Sequence, residues 1–354
     1  MAEKTELTAQ QRAQLFAMQT RQNFQMLAPE TANTTPATLQ FTLPKARLLA
    51  GAVVRLKGKI NLKHASSTSV TADIFTMVKA IRRISLDLNN GFQPFVLSGV
   101  ECLMYNMVDM HPDILTPQAK NEYATKPAEW KASTTGYDND FAFTLQLPVT
   151  TSERDPIGLI LLQNDTTNVT LSIDLGMGSE MFDVEGLTAE LKNVSCSVML
   201  QTFSIPANNN AFPDLSVLKL VNGRKDSLPS AGQQIVKLTT GTIYRKILFR
   251  LLDENGAPMT LNDLTGNIEL VFNQADVNYS ITGEMLRLRN QYMQGYQLPD
   301  GMFMFDFSNN GTGANMAGTR DYIDSANLTE FWLRFNTSKK GKCEIVTECL
   351  TRLA

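Results

Sequence analysis

Histidine is almost missing from this chain, which has only His64 and His111 in 354 residues. So few imidazoles leave little room for acid–base catalysis or a histidine-ligated metal. Cysteine is nearly as scarce. Cys102, Cys196, Cys343 and Cys349 form no CxxC pair and follow no regular spacing. They read as reduced thiols buried in strands, consistent with folding in a cytosol. No stretch approaches 18 consecutive apolar residues, so no helical membrane span is expected. The opening MAEKTELTAQQ lacks the apolar segment of a secretory signal. Neither sign of charge dominates: 32 Lys and Arg face 35 Asp and Glu, a net charge of -3, which argues against a specific nucleic-acid partner.

What is present describes a folded protein. Hydrophobic residues make up 43% of the chain and charged ones 19%, well away from a disordered composition. The length exceeds what one core usually organises, so two domains are expected.

Residues 8–27 read as a helix. Thr8-Ala9-Gln10-Gln11 fits a capping box, and Leu7, Leu15, Met18 and Met26 form a sparse apolar stripe among Gln and Arg. A stripe so weak predicts a helix that packs on something outside its own domain. Residues 28–40, rich in Pro, Thr and Asn, read as a linker. From about residue 40 the period drops to two. Val54, Leu56, Ile60 and Leu62 alternate with Arg55, Lys57, Lys59 and Lys63. The same alternation recurs in Phe141/Phe143/Leu145/Leu147, Val169/Leu171/Ile173/Leu175, Phe303/Phe305/Phe307 and Phe331/Leu333/Phe335. Asn90-Gly91, Asn222-Gly223, Asn255-Gly256 and Asp300-Gly301 read as turns between strands. Long helices are absent, so the fold is all-β and of sandwich type.

The two halves echo each other. IRRISLDLNNG (81–91) matches YRKILFRLLDENG (244–256), and SGVECLMYNM (98–107) matches TGEMLRLRNQYM (282–293). FAFTLQLP (141–148) matches MFMFDFS (302–308), and NVSCSVMLQTF (193–203) matches KCEIVTECL (342–350). Four matches in one order indicate a duplicated β-sandwich.

Candidate chemistry is thin. SGVECLMYNMVDMH (98–111) gathers Cys102, three methionines, Asp109 and His111, the soft donors of a Cu(I) or Zn(II) site. Its counterpart keeps neither cysteine nor histidine. Val100, Leu103 and Met107 align with Met285, Leu288 and Tyr292, so the stretch reads as a packing helix rich in gap-filling methionine. His64 falls in a Ser-rich loop. HPD (111–113) sits among strands and loop, outside the helical setting in which that tripeptide acts. LGMGSEM (175–181) lacks the third glycine of a dinucleotide loop, and NGTGANMAGT (310–319) lacks the lysine of a phosphate loop. Nothing selects Asp138 and Asp140 as a glycosidase pair. The Arg55/Lys57/Lys59/Lys63 face reads as a solvated sheet face, with an acidic neighbour or anionic lipid as the sharper alternative. No catalytic, cofactor-binding or metal-binding residue is assigned, and no cofactor.

In its order of elements the chain resembles the major capsid protein of tailless, membrane-containing icosahedral bacteriophages, the tectivirus type. The Gln-rich LTAQQRAQL resembles that family's N-terminal arm. PVTTSERDPIGLILLQNDTTNVTLSIDL (148–175) resembles the close of its first barrel, and LPDGMFMFDFS with TEFWLRFNTS the end of its second. The resemblance implies two tandem eight-stranded jelly rolls with an N-terminal helix and short helices in loops. The expected domains are an arm at 1–40 and rolls at 41–205 and 206–354. It also implies a structural protein, not an enzyme, whose homotrimers form pseudo-hexagonal tiles over a lipid vesicle. The arm would face the lipid, with penton and minor membrane-associated proteins as further partners. The implied setting is the virion, after folding and assembly in a host bacterial cytoplasm. A minor capsid or spike protein, or a carbohydrate-binding two-domain β-sandwich, are the alternatives. Only Trp130 and Trp332 could supply aromatic sugar platforms.

Overall fold

A computed structural model describes residues 8–66, 68–89, 91–110, 129–151, 157–164, 166–308 and 321–352. The chain forms two compact units. Residues 1–106, 112–219 and 352–354 make the first, and 107–111 with 220–351 the second. No helix among the described residues is long and apolar enough to cross a membrane.

Helix α1 (Ala9–Gln19) opens the first unit. Its strands are β1 (Gln22–Met26), β2 (Glu30–Ala32), β3 (Ala37–Thr42), β4 (Leu48–Lys63), β5 (Thr68–Val70), β6 (Ile81–Leu88) and β7 (Phe92–Leu97). Helix α2 (Gly99–Asn106) follows, then β8 (Trp130–Ala132), β9 (Tyr137–Pro148), β10 (Ile160–Leu161), β11 (Val169–Leu175) and β12 (Thr188–Phe203). Its larger sheet runs β1-β12-β4-β9, with β2 also on β12 and β10 on β4; the facing sheet runs β7-β6-β11-β3. Every pairing is antiparallel.

The strand β13 (Val217–Leu228) leads into the second unit, followed by β14 (Gly232–Leu238), β15 (Ile243–Asp253), β16 (Leu264–Phe272) and β17 (Asp276–Thr282). Helix α3 (Gly283–Gln294), β18 (Met302–Asp306), β19 (Ile323–Asp324), β20 (Phe331–Thr337) and β21 (Gly341–Arg352) complete it. One sheet runs β13-β21-β15-β18 and the other β14-β20-β16-β17.

With β1 and β2 taken as one broken strand, and the short β5, β8, β10 and β19 set aside, each unit has eight strands. Counted in chain order, both units put strands one, eight, three and six in one sheet, and two, seven, four and five in the other. That is the jelly-roll order, and the two units are topological copies. In both, the one α-helix among the described residues of the roll body joins strand five to strand six.

The alternation read from the sequence marks the cores. Val54, Leu56, Ile60 and Leu62 are fully buried while Arg55, Lys57, Lys59 and Lys63 are exposed. In the second unit Phe249 stacks between Phe303 and Phe335, with ring centroids 5.4 and 6.1 Å away. Such pairs add directional preference to the burial of large apolar surfaces.

The structure corrects the sequence reading in several places. The helix expected over 8–27 stops at Gln19, and residues 22–26 form β1, paired with β12 from Gln22↔Phe203 to Met26↔Met199. The 28–40 linker contains β2 and most of β3. All three lie at sheet edges; β1 and β2 bury little and so carry no clear period-two signal, whereas β3 does alternate, with Leu39 and Phe41 buried between exposed Thr38, Gln40 and Thr42. The face of α1 that packs is not the Leu15/Met18 stripe either. Phe16 is buried against Leu48, Ala50 and Leu159, with Phe203 edge-on at 5.4 Å, all within the first unit, while Met18 points outward. Asn222-Gly223 runs through β13 rather than turning. Finally, 81–91 spans the fourth strand of its roll and 244–256 the third of the other. That echo pairs strands that are not equivalent; the other three echoes match equivalent elements.

Candidate functional site

Helix α2 holds the stretch with metal-like composition. Ser98 and Glu101 form a reciprocal cap: the Glu101 amide donates to Ser98 Oγ at 3.3 Å, and the Ser98 amide to Glu101 Oε2 at 2.7 Å. All eight residues of the helix are buried. Cys102 Sγ lies 3.8 Å from the Gln146 carbonyl oxygen, and burial pushes its thiol far above the usual range, against the thiolate a metal needs. Asp109 pairs with Lys246 at 3.4 Å. His111 and the HPD tripeptide lie outside the described residues, as does NGTGANMAGT. Among the described residues no three His, Cys, Asp or Glu side chains cluster as metal ligands.

Helix α3 stands at the same place in the second roll. Thr282 caps it, accepting from the Met285 amide at 3.3 Å, and Gly295 ends it in the left-handed conformation at φ 75°. Aligned on their caps, Cys102 corresponds to Leu286, and both are fully buried. Asn106 corresponds to Asn290. Asn106 Nδ2 donates to the Gln146 carbonyl and its Oδ1 accepts the Gln146 amide, both at 2.7 Å. Asn290 does the same to Met304, at 2.7 and 3.0 Å. The shared Ser/Thr-Gly-x6-Asn pattern is visible in the sequence and went unread. The alignment of Val100, Leu103 and Met107 with Met285, Leu288 and Tyr292 is off by one residue. The first three are buried and the last three exposed.

The remaining candidates are structural. His64 Nδ1 accepts the Ser66 amide at 3.2 Å in its loop. In LGMGSEM the amide of Met177 donates to Glu180 at 3.3 Å, and Glu180 also takes Arg82 Nε at 2.8 Å. The hydrogen bond from Arg82 holds that carboxyl below its ordinary range. The loop therefore satisfies itself and offers no phosphate cradle. Gly178 is required there because a Cβ would sit 2.6 Å from the Ala189 carbonyl oxygen. Asp138 and Asp140 are exposed on β9, bonded to Asn61 at 2.5 Å and near Lys59 at 3.7 Å. Trp130 is buried edge-on to Phe182, so it offers no sugar platform.

A cavity of about 140 Å³ in the second unit is lined by Leu220, Leu238, Thr242, Tyr244, Ile345 and Cys349 among others. Burial raises the Tyr244 hydroxyl well above its usual range and the Cys349 thiol to about 12, leaving both protonated. Three buried cations of this unit face acids: Arg245 with Glu348, Arg250 with Glu344 at 3.5 Å, and Lys246 with Asp109. Burial opposes the charge on Lys246, yet Asp109, Glu348 and Asp306 together hold it protonated. Ion pairs of this kind tie neighbouring strands of the sheet together.

What the surface does offer is apolar. Met18 is 83% exposed, and Phe24 and Met26 on β1 are 61% exposed. On α3, Met285, Leu288 and Tyr292 are 55%, 52% and 77% exposed. These six are the large apolar side chains more than half exposed among the described residues, and they form two groups.

The fold is that of the double jelly-roll capsid proteins. The sequence matches no protein-family model and no curated protein. Among solved structures, the major capsid protein of Sulfolobus turreted icosahedral virus aligns at TM-score 0.68 and 14% identity, over 94% of this chain and 97% of that one. The capsid of the virus PBCV-1 aligns at 0.62 and 11% identity, over 94% of each chain. The major capsid protein of bacteriophage PM2 aligns at 0.54 and 10% identity, over 94% and 98%.

Proposed function

We propose that this chain is the major capsid protein of an icosahedral virus with an internal membrane, acting by self-assembly and not by catalysis. The observation that carries the reading is the tandem of two complete jelly rolls of identical strand order. It aligns with capsid proteins over 94% of this chain and nearly their whole length. A closed double sheet leaves few open edges, which suits a tile that must meet its neighbours only along chosen sides. Three chains would place six rolls around one axis, a pseudo-hexagonal tile. Penton and minor membrane-associated proteins complete the shell, and assembly takes place in a bacterial cytoplasm.

The N-terminal region supplies the lipid contact. Phe16 fastens α1 to the first roll and leaves Met18, Phe24 and Met26 outward, with Arg12 and Arg21 exposed beside them. Apolar side chains bordered by arginine suit a surface of anionic head groups.

Light scattering and electron microscopy of the purified chain test the reading. Trimers with a six-sided outline are expected, and in virions this chain should dominate the stained gel. A stable monomer at all concentrations would sink it. For the lipid contact, flotation with anionic vesicles should retain the full chain and recover less of a variant lacking residues 1–20, which loses Arg12 and Met18 and keeps Phe24 and Met26; equal recovery would sink the role of α1. The cut stops there because β1 belongs to the roll.

A further inference from the structure

The second roll encloses a space that its own side chains do not fill. Strands β13 and β14 belong to its two different sheets and are joined through residues 229–231. Arg224 on β13 donates to the Lys237 carbonyl on β14 and pairs with Asp226 at 3.0 Å. Further from the turn, Asn222 and Thr239 are exposed and stand at the mouth of the cavity of about 140 Å³. Inside, Leu220, Leu238, Tyr244 and Ile345 make its walls apolar. The inward row of β21 registers the space. Cys343, Ile345 and Cys349 are buried, whereas Thr347, which lines the cavity, is only half-buried.

The frame around this space is already locked. The Tyr244 ring stands edge-on to Phe331 at 5.0 Å, and its hydroxyl donates to the Thr239 carbonyl at 2.6 Å. Thr242, also in the lining, is fixed through its backbone to Ser325. Its amide donates to Ser325 Oγ at 3.1 Å, and its carbonyl accepts the Ser325 amide at 3.0 Å. Walls held in this way cannot close up by a simple side-chain rotation, and a preformed site costs little to organise when it is filled.

Size and charge define the occupant. An apolar cavity of about 150 Å³ takes up a molecule as large as benzene. Arg224, the charged residue of the lining, is engaged by Asp226 and the Lys237 carbonyl, so an anion finds no counter-charge waiting. Burial keeps Tyr244 and Cys349 in their neutral forms, so a cation finds none either.

We propose that the cavity bounded by β13, β14, β15 and β21 is a binding site for a small, neutral, apolar molecule of single-ring size. A molecule seated there touches strands of both sheets at once, so its binding stabilises the second roll by mass action. The proposal goes beyond the capsid reading and does not rest on it.

The test titrates the full chain with benzene in isothermal calorimetry, with benzoate as the charged control. One benzene per chain should bind saturably, with a Kd of about 1 mM for so small a ligand. Benzoate should not bind. Thr347→Phe places a ring of the protein's own in the same space. It should keep the wild-type circular dichroism and bind benzene at least tenfold more weakly. Should that variant fail to fold, the wild type itself gives the answer by methyl NMR. The Ile345 methyl signal, assigned through Ile345→Val, should shift with benzene and reach a plateau. No saturable binding to the wild type overturns the inference. So does undiminished binding to a folded Thr347→Phe, an Ile345 signal unmoved at saturation, or benzoate binding as well as benzene.

Discussion

Asn106 and Asn290 occupy the same position in the two rolls, eight residues beyond a Ser or Thr cap. Each closes a two-way bond with one residue of its roll's sixth strand, Gln146 or Met304. A strand that would otherwise leave one amide and one carbonyl without a partner is thereby completed by a side chain. Both asparagines are buried, so the bonds are shielded from water.

Removing one of these amides should therefore cost more than an average hydrogen bond. Asn290→Ala leaves the Met304 amide and carbonyl unsatisfied and should lower stability by about 2–3 kcal/mol in urea unfolding. Asn290→Asp should be at least as damaging at pH 7, because a carboxylate accepts from the amide but has no proton for the carbonyl. Below the raised pKa of that buried acid the lost donor returns as an O–H. The gap to wild type should then narrow on acidification. An aspartate variant equal to wild type at neutral pH would refute the two-way role.

Phe16, not Met18, should hold the N-terminal helix. Burial and the edge-on contact with Phe203 make Phe16→Ala worth about 3 kcal/mol of local docking. Phe16 is the side chain of α1 in the buried cluster with Leu48, Ala50 and Leu159, so the loss should appear as faster proteolysis within residues 8–20 and not as a lower global midpoint. Met18→Ala should change neither. Equal protease sensitivity in the two variants would contradict the assignment.

Much of this fold was legible because alternation reports burial on one face. Val54 to Leu62, Val169 to Leu175 and Phe331 to Phe335 all bury the residues their period marks. Alternation carries no information about which strand lies alongside. YRKILFRLLDENG and IRRISLDLNNG look alike as two basic, alternating strands before an Asn-Gly, yet they hold different places in their rolls. Residues 22–32 gave no signal because their hydrogen-bonding edges, not their side chains, place them on β12. The apolar count on α3 was right and its direction wrong. Three large residues at helical spacing look the same in a sequence whether they face a core or the outside. The spacing from cap to asparagine, present twice, would have set the alignment.

The cysteines should be silent until the chain unfolds. Desolvation raises Cys196 and Cys349 to about 12 and pushes Cys102 and Cys343 well above the ordinary thiol range, so thiolate is scarce at pH 8. A thiol reagent should find no rapidly reacting group in the native protein and all four in guanidinium. One fast native thiol would mean that a strand carrying it opens readily.

Asp263 gives the stability of the second roll an acid limb. Its carboxylate accepts the Thr260 amide at 2.9 Å and Ser338 Oγ at 3.3 Å and pairs with Lys339 at 2.8 Å. It thereby ties the turn before β16 to the turn between β20 and β21. Led by the hydrogen bond with Lys339, these contacts lower its pKa from the ordinary 3.8 to about 2. A carboxyl depressed on folding stabilises the protein fully above its unfolded pKa and loses that contribution as pH falls through the folded one. Lys339 is more than half exposed, which screens the pair, so about 1 kcal/mol is expected. Wild type and Asp263→Asn should thus differ by a constant amount above about pH 5 and converge between pH 4 and pH 2. A difference that persisted unchanged at pH 2 would show that the loss arises from packing, since protonation would then have removed nothing.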